Sequence, residues 1–171
     1  MPRETFNDLF TATLGELYDA EAQLAVGLPV LKRAQLNDDL LRVVDAMHEA
    51  TCGQMLKLEA IFDLVGREAK SHTCWSVAPL VVDAYDAMKA RDTFARHSGI
   101  GLALLSIAHL QIVRYQSLAA WSIHCGLNQV AELLEEPLAA KVMFARQLTS
   151  HALAADRANL FDVEPPTPTI N

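Results

Sequence analysis

DDLLRVVDAMHEATCGQMLKLEAIFDLV, residues 38–65, is the stretch that decides the fold. It is apolar at helical spacing, and Asn37, Asp38 and Asp39 supply a cap and negative charge at its start. Gly66 stands just past its end, where a left-handed stop is favoured. A helix of this length runs about 42 Å, and helices so long build bundles. One apolar row reads Leu41, Val44, His48, Cys52, Met55, and a second reads Leu40, Val43, Met47, Leu58. Glu49 and Cys52 are three apart and project from one face. A carboxylate and a soft ligand at that spacing, midway along a long helix, is where a four-helix bundle places a metal.

Working outward, Thr5 caps a first helix over residues 5–35, with the stripe Phe6, Leu9, Phe10, Leu14, Leu17, Tyr18, Leu24, Leu28, Leu31. Glu21 falls inside that stripe. A buried carboxylate needs a partner or a proton. Pro29 is expected to kink the helix or remove one hydrogen bond. Gln35–Asn37 is a tight turn, so the first two helices should lie antiparallel. Past the second helix, 66–75 is a polar connection, and Ser76 caps a short amphipathic helix over 77–90. Residues 91–98 read as a loop or frayed start. The fourth helix spans 97–125, with the stripe Leu104, Ile107, Ala108, Gln111, Tyr115, Leu118, Ser122, and Gly126 ends it. A short helix over 127–135 breaks at Glu136–Pro137, where Pro137 opens a last helix over 137–160. Residues 1–160 form one domain, and 161–171 are a Pro-rich tail. The fold class is all-α: an antiparallel bundle of four long helices plus one or two short ones, with one long crossover.

Composition agrees. In 171 residues, 51% hydrophobic with 6% aromatic, Ala and Leu dominate, which suits packed helices. A net charge of −7 without a Lys/Arg run argues against nucleic-acid binding and anionic membranes. The longest nearly apolar run, 99–113, is too short for a membrane span. Three scattered cysteines make no disulfide framework, and the N-terminal MPRETFNDLF has no basic start before an apolar core. A reduced, cytoplasmic setting is expected.

The chain resembles the YciE/YciF-type ferritin-like stress proteins, a bacterial family with no settled biochemical role. The resemblance covers residues 5–155. It is carried by ELYDAEAQL (Glu16–Leu24), EATCGQMLKLEAIFDLVG (Glu49–Gly66), TCWSVAPLVVDA at Cys74, and LAAWSIHCGLNQVAELLEEPL (Leu118–Leu138). It implies a homodimer and a metal site of carboxylates from four long helices plus a Glu-x-x-His pair. Here Glu21 and Glu49 match, and Cys52 stands at the His. The fourth-helix Glu-His-x-Glu pattern has become Ala108, His109, Leu110, Gln111. The last helix offers Ala139, Ala140, Lys141 and then Ala145. Two hard cations need about five or six mostly anionic ligands, and this set is too poor. Pointing inward, Lys141 would repel a cation and pair with a carboxylate instead.

The expectation is therefore a degenerate di-metal site, with Glu21, Glu49, Cys52, His109 and Gln111 as the candidate ligands at or beside it. No cofactor is expected. The alternative is a reduced site holding one iron or other transition-metal ion, with redox or storage work. Di-iron oxidase chemistry is disfavoured, no catalytic residue is assigned, and the function expected is structural, interaction or binding, associated with stress. A third reading places a small molecule in an apolar pocket left by Ala108, Ala139, Ala140 and Ala145. Cys74 and Cys125 read as inert packing residues, and Cys52 more as buried core than as a ligand.

Overall fold

The computed structural model describes residues 5–70 and 72–153, and among them every regular element is helical. The order is α1 (Phe6–Leu31), a single 3₁₀ turn (Lys32–Ala34), α2 (Asp38–Leu64), α3 (Ala78–Ala87), α4 (Thr93–His124) and α5 (Asn128–Leu153). The expected tail at 161–171, and the end of the last helix, lie outside the described residues.

Local signals set the ends. Thr5 and Asp8 form a reciprocal capping box at α1, and the Asn37 side chain accepts the Leu40 amide at α2. Gln35 takes the left-handed conformation in the α1–α2 turn, as Gly66 and Gly126 do after α2 and α4. α1 runs on through Pro29.

Three boundaries differ from the sequence reading. α4 starts at Thr93, because the Asp92 side chain accepts the Ala95 amide at 2.6 Å and caps it. Ser76 does not cap α3; its hydroxyl accepts from Arg114 instead. The break at Pro137 is absent, and α5 is one helix with Pro137 inside. Proline there removes one backbone donor and costs up to about 3 kcal/mol. Burial outweighs that cost. Val130, Leu134, Pro137, Lys141, Phe144 and Leu148 lie three or four apart and are all buried, a stripe that only an unbroken helix aligns.

α1 packs on α2 and α4, and α5 on α2 and α4, which gives a four-cornered bundle with α1 diagonal to α5. α1 and α2 are antiparallel through the tight turn, as are α4 and α5. Residues 72–77 run back along α1: the His72 amide donates to the Gly15 carbonyl, and the Cys74 amide to the Asp19 carboxylate. α3 then continues over the α1–α4 groove, with Tyr85 against Gly27 and Ala87 against Gly99. One core cluster surrounds Leu24, Leu28, Val44, Met47 and Leu104; the other surrounds Leu14, Leu17, Leu58, Phe62 and Leu118. α4 is long and apolar enough to cross a membrane by length and composition alone, but its inner face is packed inside this bundle.

Candidate functional site

Between the two clusters, near the middle of all four long helices, lies a polar group of five side chains. Glu21 of α1 is fully buried, as the break in its apolar stripe requires. Lys141 of α5 is fully buried too, and its Nζ lies 2.9 Å from each Glu21 oxygen. The pair spans the bundle diagonal. From α4, Gln111 Nε2 donates to Glu21 Oε1 at 2.9 Å and the Tyr115 hydroxyl donates to the same oxygen at 3.0 Å. From α2, Thr51 Oγ1 lies 3.4 Å from Oε2 but only 2.9 Å from the Met47 carbonyl. Its single proton goes to the nearer acceptor, so Thr51 is the weakest contact. Lys141, Gln111 and Tyr115 each turn a donor toward Glu21, matching the acceptor lone pairs of its carboxylate.

Burial shapes the other groups. It pushes the Lys141 ammonium below its ordinary pKa, against the pull of Glu21. It also holds the Tyr115 hydroxyl well above 10, aided by the charge and hydrogen bond of Glu21.

Of the five residues singled out from sequence, the structure brings Glu21 and Gln111 together. Glu49, Cys52 and His109 are exposed and stand apart from that group. Glu49 and Cys52 do share a face of α2, but it is the outer one. The inward row is Leu40, Val44, Met47, Thr51, Gln54, Leu58, and the polar pair Thr51 and Gln54 in its middle is what conceals it. Cys52 and Cys125 are exposed and not core, the latter because it sits in the turn after α4; Cys74 is buried. The room expected from alanines is not there. Ala139 faces out, Ala140 is half-buried, and Tyr115 and Lys141 fill the centre. Sequence reasoning missed Tyr115 and Thr51 as partners of Glu21. Tyr115 carried a signal, a hydroxyl one turn beyond Gln111 in the same apolar row.

The donor set does not fit a metal. Its one carboxylate has both oxygens engaged, and a fixed cation already lies against them. The lone pairs left over belong to neutral amides: Gln111 Oε1, and Gln54 Oε1 one turn from Thr51, are buried and accept nothing. No group of three or more His, Cys, Asp or Glu side chains among the described residues could hold a metal ion. The arrangement is a charge-neutral polar clamp.

Compared with known proteins, residues 5–160 match the family described as a domain of unknown function, DUF892. The chain belongs to this family. Protein YciF of Escherichia coli K12 is 27% identical over 140 residues, which is 81% of this chain and 84% of YciF. The crystal structure of the E. coli stress protein YciF superposes with a TM-score of 0.82 at 26% identity, covering 88% of this chain and 96% of that one. YcfI of Rhodopseudomonas palustris, described as a candidate structural protein, superposes at 0.81 with 24% identity over 88% and 98%, a likeness of fold. DUF892 here means the YciF-type stress proteins, and the ferritin-like bundle expected from the sequence is the one found.

Proposed function

We propose that this chain is a metal-independent structural member of the YciF-type family, working in the cytoplasm as a homodimer, with no redox or oxygen-activating chemistry of its own. One observation carries the reading: Lys141 Nζ sits against both oxygens of the buried Glu21, as an ion between helices would. A protein cation in that place repels a second cation and takes up the lone pairs that a metal would need. The exposed thiols of Cys52 and Cys125 suit a reducing compartment. The likeness of fold to YcfI, a candidate structural protein, points the same way.

The test is metal content by mass spectrometry after expression with added iron, manganese and zinc, compared with a Glu21→Ala, Glu49→Ala variant. Equal, substoichiometric metal in both is expected. Near-stoichiometric metal in the parent that disappears in the variant would overturn the proposal and restore a metal-binding role.

A further inference from the structure

A groove of about 540 Å³ runs between the first turns of α2 and the last turns of α5. Val43 and Ala46 of α2 line its apolar part, and Arg42 of α2 and Arg146 of α5 border it from the two helices. Arg42 is paired with Asp39 on its own helix. Arg146 is exposed and pairs with no carboxylate among the described residues. The groove thus keeps a positive balance in a chain whose net charge is −7. Arg146 also borders two further grooves, one with His109 and one with Glu135, and neither brings a second arginine. Only on the α2 side do two guanidinium groups face one space.

The sequence past α5 has the complementary character. Eighteen residues, 154–171, follow Leu153. Within them Phe161, Asp162, Val163 and Glu164 alternate apolar and acidic. An extended backbone puts Phe161 and Val163 on one side and the two carboxylates on the other. Glu164 precedes Pro165, which itself precedes Pro166, and a residue before proline is biased to extended backbone. The lengths agree. From Asp39 to Ala46 the groove follows α2 for about 10 Å at helical rise, and residues 161–164 in extended form also span about 10 Å. Ser150 lines the end of the groove nearest the end of α5. Residues 154–160 reach up to about 23 Å when extended, enough to turn back over the last two turns of α5.

We propose that residues 161–164 fold back into this groove, with Phe161 and Val163 over Val43 and Ala46 and with Asp162 and Glu164 turned to Arg146 and Arg42. Charge selects this occupant. Past Leu153 the chain has three acids, Asp156, Asp162 and Glu164, against Arg157 alone. Tethering supplies the segment at an effective concentration in the millimolar range, so modest contacts hold it. The contact asks residues 154–160 to leave the helix instead of extending it. It makes no use of Glu21 or Lys141 and stands or falls apart from the metal-free reading.

Limited proteolysis and cross-linking of the full chain give the test. Chymotrypsin should cut after Phe161 at least about tenfold more slowly in the native chain than in a synthetic peptide of residues 156–171. Arg146→Glu removes an attraction and adds a repulsion, and should speed that cut about fivefold. Asp162→Lys with Glu164→Lys, added to Arg146→Glu, should slow it again, whereas Arg67→Glu, at an exposed arginine remote from the groove, should change nothing. Ala46→Cys with Val163→Cys, in a Cys52→Ser, Cys125→Ser background, should form a disulfide within one chain on oxidation. Cleavage as fast as in the peptide and indifferent to Arg146→Glu would overturn the proposal. A disulfide found only between two chains would overturn it too, because the groove would then hold a second copy's segment.

Discussion

Lys141 and Glu21 have meaning only together. Removing one partner of a buried pair leaves an unpaired charge, which costs about 3–5 kcal/mol. Lys141→Met should lose that much in urea unfolding, and adding Glu21→Gln should recover much of it; a loss under about 1 kcal/mol for the single change would mean that the pair is not the clamp described. Tyr115 gives a pH signature. Its folded pKa is raised above the ordinary 10.0, so beyond that pH the unfolded chain releases a proton that the folded chain keeps. The contribution of Tyr115 is thus full below about 10 and is lost as pH climbs through its folded value. The stability gap between wild type and Tyr115→Phe should narrow above about pH 10, and a gap that stays constant would refute this sign. Lys141, held below its ordinary value, acts in the opposite sense in both proteins and drops out of the difference. At this scale the sequence was informative where a residue contradicted its surroundings. Glu21 and Gln111 interrupt apolar rows, and Lys141 stands where an acid was expected. It misled at Glu49 and Cys52, since two apolar rows on α2 compete and the true one is broken by Thr51 and Gln54.

Among the elements, the strap that brings Lys70 and His72 against α1 shows how close packing reverses a propensity. Glycine inside a helix costs about 1 kcal/mol relative to alanine, so Gly15→Ala would ordinarily stabilise α1. A Cβ at Gly15, however, would lie 2.9 Å from the Lys70 carbonyl oxygen and would run into the His72 ring. Overpacking of this kind costs about 1–3 kcal/mol. Gly15→Ala should therefore lower the melting temperature, and an increase would mean that the strap moves aside freely. The boundaries missed from sequence have physical causes. Asp92 caps α4 from within a run of polar residues that resembles a loop. Pro137 resembles a helix start, yet the buried spacing from Val130 to Leu148 continues across it. Helix existence and inward faces were legible because they are periodic. The breaks depend on which of two small local costs the tertiary contacts override.

For the whole molecule, the two apolar clusters are joined by one neutral polar layer, and the topology with its single crossover was legible from loop lengths alone. What the sequence could not supply was the diagonal. No periodicity within one helix says that α5 reaches α1 across the bundle. If the layer is complete without an added ion, the thermal midpoint should be the same in excess chelator as in buffer. A fall of several degrees on chelation would show that an ion contributes to the fold.

If Lys141 holds the place of an ion, as proposed, it also separates this fold from the supply of one. An ion held by a protein enters folding through mass action, with stability that follows its free concentration. A lysine is delivered by translation, one to each chain, and dilution, starvation or competition from another binder cannot withdraw it. It also has a single oxidation state at every cellular potential. On the proposed reading, the centre of this bundle is as stable in a cell depleted of metals as in one flooded with them.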